Sequence, residues 1–290
     1  MASRDYYAQR HGERRPTEDI EGLRGIVAAE YSRLERAGYF QWHLGYRCVD
    51  AGDVAGYSAG VDQGAYVRWH LGRDDLWPFT ESLPQLDETW IFTVLEFLHD
   101  HAAKPIRSRN HTFSDCGIHV ESADETSGRE EFRDSINRYL PRYRSGFEMQ
   151  DNGEVWSIAP AGLEDRRPLA TGRDDIDPRV AHAIGVFRRH GATDEDKRDA
   201  IRNLADVIEL LRSGNGTGLP TEDEDRLFEI ANRFGIRHHN RKQRTGYDAG
   251  IWLDWVFYSF LNAVALFTEL AARDAQTLAG DGSERTGLPF

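Results

Sequence analysis

The segment GIWLDWVFYSFLNAVALF, residues 250–267, constrains the fold more than any other stretch of the chain. Its apolar residues fall on every side of a helix, so as a helix it must be buried over most of its surface. Asp254 and Asn262 interrupt the run before it reaches the ~18 apolar residues that a membrane span needs, so it reads as a core helix, and no membrane contact is expected. Such a helix requires apolar partners, and the preceding residues supply them. Ala181–His190 and DEDKRDAIRNLADVIELLR (194–212) read as helices, and SGNGTGLP (213–220) as a flexible break. TEDEDRLFEIANRF (221–234) reads as a third helix, with acids in its first turn where the macrodipole favours them. Residues 249–273 make the fourth. This half of the chain is expected to be an all-α bundle.

The first half has another texture. TEDIEGLRGIVAAEYSRLERAG places Ile20, Leu23, Val27, Tyr31 and Leu34 at helical spacing, with Thr17 as candidate N-cap and Gly38 as candidate stop. Between 39 and 80, short aromatic runs such as YFQWHLGYRCV and YVRWHLG alternate with glycines and read as strands or irregular turns. DETWIFTVLEFLHDHA (87–102), capped by Asp87, and GREEFRDSINRYL (128–140) return to helical spacing. GFEMQDNGEVWSI predicts a hairpin turning at Asp151-Asn152-Gly153. The Pro-, Gly- and charge-rich stretch 160–178 separates the halves. The expected fold is α+β: a mixed domain over 1–165, an all-α domain over 176–275 and a polar tail over 276–290.

Composition narrows the function classes. A formal charge of −13 repels phosphates, so any nucleic-acid contact must be local. Two cysteines, Cys48 and Cys116, make no disulfide framework, and nothing at the N-terminus reads as a signal peptide. A reducing cytoplasm is the expected compartment. No P-loop, dinucleotide-binding fingerprint or nucleophile elbow occurs, and no cofactor is expected.

The local exception to the acidic balance is NRFGIRHHNRKQR (232–244). Residues 233–244 hold Arg233, Arg237, Arg241, Lys242 and Arg244, two adjacent histidines and no carboxylate. With "IRHHN" ahead of a Trp- and Phe-rich last helix, the C-terminal four-helix pattern resembles the HEPN superfamily, many of whose members are RNases of toxin–antitoxin and phage-defence systems. The stretch FTVLEFLHDHAAKP…HTFSDCGIHV…GREEFRDSINRYL…GFEMQDNGEVWSI, about 87–163, resembles the N-terminal domain of AbiJ-type abortive-infection proteins.

The HEPN resemblance implies a metal-independent site that pairs an Arg with a His, and usually a homodimer facing two such sites across one cleft. The chemistry suits the pairing: His titrates near neutrality and moves protons at the ribose 2′-OH and the leaving 5′-oxygen, while Arg holds the phosphate by two hydrogen bonds. Arg233 with His238 or His239 has the right spacing, although Phe234 follows the Arg where a polar residue is usual, and Gly235 breaks the turn. Taking Arg237 as the motif Arg instead puts Arg241, Lys242 or Gln243 at the His position, which would bind RNA without cutting it or do neither. Arg237, Asn240, Arg241 and Lys242 are the candidate RNA contacts in the first register. A third reading makes the segment a salt-bridging corner or a dock for a second subunit, an antitoxin or another defence-system partner.

A second cluster, HDHAAKPIRSRNHTFSDCGIH, contains His99, His101, His111, Cys116 and His119. Cys116 and His119 form a Cys-x-x-His pair compatible with zinc, but no second tight pair accompanies it. On a helix, His99 and His101 point to different sides, so at most one could join. The alternatives are a core in which Cys116 and Gly117 pack tightly, and an anion-binding loop of Lys104, Arg107, Arg109 and His111.

Overall fold

A computed structural model describes residues 7–12, 17–159, 168, 170–215, 226, 229 and 248–281. It divides into two compact units, Met1–Ile158 and Ala159–Phe290. The division falls seven residues before the boundary expected at 165.

In the first unit, α1 (Tyr7–Arg10) precedes the long α2 (Ile20–Arg36), whose Leu23, Val27, Tyr31 and Leu34 face the core. Asp19, not Thr17, caps α2 by accepting from Gly22 N at 3.0 Å. A turn of helix, α3 (Gln41–Leu44), runs into the hairpin β1 (Gly45–Cys48) and β2 (Gly52–Ala55). YVRWHLG is not strand but the end of α4 (Gln63–Leu71): Asp62 caps its start through Ala65 N, and Gly72 takes a left-handed φ of 72° at its end. Caps at both ends outweigh the β-propensity of the Tyr, Val and Trp between them.

After α5 (Phe79–Ser82), α6 (Glu88–Asp100) starts at Asp87 as expected, with Asp87 accepting from Trp90 N. It buries Ile91, Phe92, Val94, Leu95 and Leu98, each worth about 1.5–3 kcal/mol of transfer free energy. β3 (Lys104–His111) and β4 (Gly117–Asp124) form an antiparallel pair with Arg109 opposite His119 and His111 opposite Gly117. α7 (Glu125–Ile136) follows, packing Phe132 and Ile136 inward. β5 (Phe147–Met149) and β6 (Val155–Ser157) close the expected hairpin, with Gly153 at φ 87° in its turn.

The elements of the second unit among the described residues are all helices: α8 (Asp177–Arg188), α9 (Asp194–Asn215) and α10 (Ala249–Asp281). Over Ala249–Arg273, α10 is long and apolar enough to cross a membrane by length and composition alone. Its Leu253, Val256, Phe257, Phe260, Val264 and Phe267 nevertheless pack with α8 and α9, including Phe257 stacked on Phe187 at 3.7 Å. Lys197 Nζ reaches Asp254 at 3.0 Å, which places the starts of α9 and α10 side by side. Of the aromatic residues of α10, Phe257, Phe260 and Phe267 are core, whereas Trp252 and Trp255 are 37% and 48% exposed. The helix expected over 221–234 lies outside the described residues, apart from positions 226 and 229.

Candidate functional site

Two hairpins of the first unit bring Cys48, His111, Cys116 and His119 to one point. One ligand atom from each lies within 4.8 Å of every other. Cys48 is the last residue of β1, His111 the last of β3, and His119 sits on β4 across the ladder from Arg109. The link from β3 to β4 doubles back through Ser114 at φ 51° and Gly117 at φ 92°, and Cys116 is carried on that turn. A Cβ at Gly117 would meet no atom within 4 Å, so glycine is there for its backbone conformation. That removes the tight packing of Cys116 and Gly117 expected as one alternative.

Within the cluster, Cys116 Sγ lies 3.2 Å from His119 Nε2 and Cys48 Sγ 3.7 Å from His111 Nδ1. Cys48 and His119 are buried, and His111 and Cys116 half-buried. Around the four stand supporting groups. Asp50 Oδ2 lies 3.0 Å from His111 Nε2, and Ala51 N donates to Cys48 Sγ at 3.4 Å. The backbone N–H groups of Ala51 and Asp50 draw the Cys48 thiol below its ordinary value, toward thiolate. Burial, with His111 and Arg109 nearby, holds His119 below the ordinary imidazole range. A neutral imidazole and a thiol ready to ionise are the forms in which these side chains bind metals.

The expected anion-binding loop is a β-strand, and two of its cations are paired with carboxylates. Lys104 Nζ pairs with Glu131 at 2.5 Å, Arg107 Nε pairs with Glu121 at 3.1 Å, and His111 belongs to the cysteine cluster. His99 and His101 both stay out of that cluster. His101 is locked between Phe97 O (2.7 Å from Nδ1) and Tyr66 OH (2.9 Å from Nε2), and His99 is buried beside Asp100. His43, also buried, contacts Ser58 Oγ at 2.9 Å and sits 3.6 Å from Glu125. Elsewhere, a cavity of about 320 Å³ is walled by Leu23, Ile26 and Tyr143, and its charged pair, Arg142 and Glu18, is closed on itself at 2.6 Å.

Sequence reading found Cys116 and His119 and missed Cys48, 63 residues before His111. The available signal was the count: of two cysteines in the chain, one sat in the motif and the other was left unassigned. Arg233, Arg237, His238, His239, Asn240, Arg241 and Lys242 lie outside the described residues. Comparison of the chain with protein-family models, with curated proteins and with solved structures finds no match in any of the three.

Proposed function

We propose that the chain is an RNA-directed protein of the phage-defence or toxin type, with a metal-independent RNA endonuclease site in its HEPN-like helical unit. The observation that carries this reading is the charge reversal at 233–244: five bases and two histidines without a carboxylate, in a chain of net charge −13. Such a contrast concentrates a phosphate at one place and leaves the remaining surface repulsive to bulk nucleic acid. The segment ends just ahead of α10, on whose first turns Trp252 and Trp255 are partly exposed, rings of the kind on which unpaired bases stack. The same exposed turns suit the homodimer that HEPN-type sites use. An antitoxin or defence-system partner is the expected regulator, and the cytoplasm the expected compartment.

In this reading Arg233 holds the scissile phosphate. His238 or His239 takes the proton from the ribose 2′-OH as its oxygen attacks phosphorus, and a protonated imidazole supplies the proton to the departing 5′-oxygen. The products are a 2′,3′-cyclic phosphate and a 5′-hydroxyl. Phe234, directly after Arg233, favours a second reading: a non-catalytic domain that binds RNA, a nucleotide or a partner through Arg237, Asn240, Arg241 and Lys242. Cleavage of RNA in buffer free of unbound divalent metal, wild type beside His238→Ala/His239→Ala, separates the two. Cyclic-phosphate ends lost only in the variant support the nuclease. Binding without cleavage supports the second reading, and neither activity sinks both.

A further inference from the structure

We infer that Cys48, His111, Cys116 and His119 form a tetrahedral zinc site that fastens the β1–β2 hairpin to the β3–β4 hairpin. This goes beyond the RNA reading and uses none of its residues. The donor set is the first argument. Two thiolates and two imidazoles are the mixed sulfur–nitrogen ligands that zinc takes in structural sites. Ideal zinc–sulfur bonds of about 2.3 Å and zinc–nitrogen bonds of about 2.0–2.1 Å imply ligand-to-ligand edges of roughly 3.4–3.8 Å. Cys48 Sγ to His111 Nδ1, at 3.7 Å, is such an edge, and Cys116 Sγ to His119 Nε2, at 3.2 Å, is slightly shorter. All four atoms stay within 4.8 Å, so small side-chain adjustments close one ion into the group.

The surroundings make the second argument. His111 turns Nδ1 toward Cys48 and its other ring nitrogen, Nε2, to Asp50, the carboxylate–histidine arrangement that orients metal-bound imidazoles. Ala51 N–H points at the Cys48 sulfur, a donor suited to a sulfur carrying charge. His119 is only 2% exposed, finds no hydrogen-bond partner for Nδ1, and has a thiol, a weak partner, against Nε2. Ligation through Nε2 would replace that weak thiol contact with a metal–nitrogen bond.

Charge and coordination number then fix the role. Two thiolates cancel the two positive charges of the ion, so the loaded site is neutral and its partial burial carries no uncompensated charge. Four protein ligands fill a tetrahedron and leave no position for water or substrate, so the site is structural rather than catalytic. Without the ion, the described contacts between these hairpins include the Asp50–His111 pair at 3.0 Å, Tyr46 stacked obliquely on His119 at 4.6 Å, and Cys116 Sγ 4.0 Å from Arg47 O. The ion would add four bonds there.

The full-length chain is stripped with chelator under reducing conditions and titrated with Co²⁺, then with Zn²⁺, alongside Cys48→Ser, Cys116→Ser and Asp50→Asn. The expected result is one Co²⁺ per chain, with the strong visible bands of tetrahedral coordination and a thiolate-to-metal charge-transfer band that Zn²⁺ displaces. Cys48 and Cys116 are the chain's two cysteines, so a band of two-thiolate intensity assigns both even if a Ser variant fails to fold. Asp50→Asn should retain the spectrum and weaken affinity by about 10–100-fold. A weak octahedral spectrum without the charge-transfer band, or uptake unchanged in both Ser variants, would overturn the inference.

Discussion

Gly128 offers a sharp test of the first unit's packing. It lies buried within α7, where a glycine normally weakens a helix. A Cβ built there would lie 2.4 Å from Ala103 Cα, 2.6 Å from Lys104 N and 2.7 Å from Ala102 O, all backbone atoms. Ordinary carbon contacts are about 3.5–4.0 Å, so Gly128→Ala forces α7 and the start of β3 apart by about 1 Å. Neither side yields easily: Ala103 N donates to Tyr39 O at 2.8 Å, and β3 is held along its length by β4. A gap of that size costs the inward contacts of Phe132 and Ile136 about a quarter to a half of their dispersion energy. Overpacking of this kind costs about 1–3 kcal/mol, and the better helix propensity of alanine returns up to ~1 kcal/mol. The backbone obstacle puts the net loss near 2 kcal/mol. Gly25, exposed in α2 with nothing within 4 Å of its built Cβ, is the matched control, and Gly25→Ala should stabilise by about 0.5–1 kcal/mol. Urea denaturation of the full chain, followed by near-UV circular dichroism, reads both. If Gly128→Ala matches or exceeds wild-type stability at an unchanged m-value, the close approach of α7 to β3 is not real.

Acid should loosen the first unit before its carboxylates titrate. Burial holds His43, His99 and His101 below the ordinary imidazole value, and unfolding restores it. The unfolded chain then binds protons that the folded one refuses, so this stability is present above about pH 6.5 and is lost as pH falls below it. Each residue contributes a slope of up to about 1.4 kcal/mol per pH unit. Urea midpoints of chelator-treated protein that stay level between about pH 7.5 and 5.5 would count against the burial of these rings. Zinc at about 100 times its dissociation constant should stabilise the first unit by about 2.7 kcal/mol, a rise of roughly 5–11 °C in Tm, with no effect on the Cys48→Ser/Cys116→Ser chain. Equal shifts in both proteins would show that the ion acts elsewhere.

What the sequence determined is what its local physics encodes. Apolar spacing marked α2 by Leu23, Val27, Tyr31 and Leu34, and all four are buried. Asp87 announced the start of α6 and Asn152-Gly153 the turn between β5 and β6, because caps and tight turns are made within a few residues. The apolar content of 250–267 required a buried helix, and α8 and α9 cover it. Tertiary structure decided the rest. β3 reads Lys-Pro-Ile-Arg-Ser-Arg-Asn-His with most of its residues exposed, so no apolar alternation betrays a strand; its pairing with β4 makes it one. Packing also turned an expected cationic loop into ion pairs, Arg107 with Glu121 across the strands and Lys104 with Glu131 on α7. Cys48 and His111 meet only because two separate hairpins are folded onto one another, a juxtaposition across 63 residues that spacing rules of a few residues do not reach. Periodicity fixes which face of an element is apolar. Which distant face it meets, and therefore which four side chains share one point in space, is settled only by packing the whole unit.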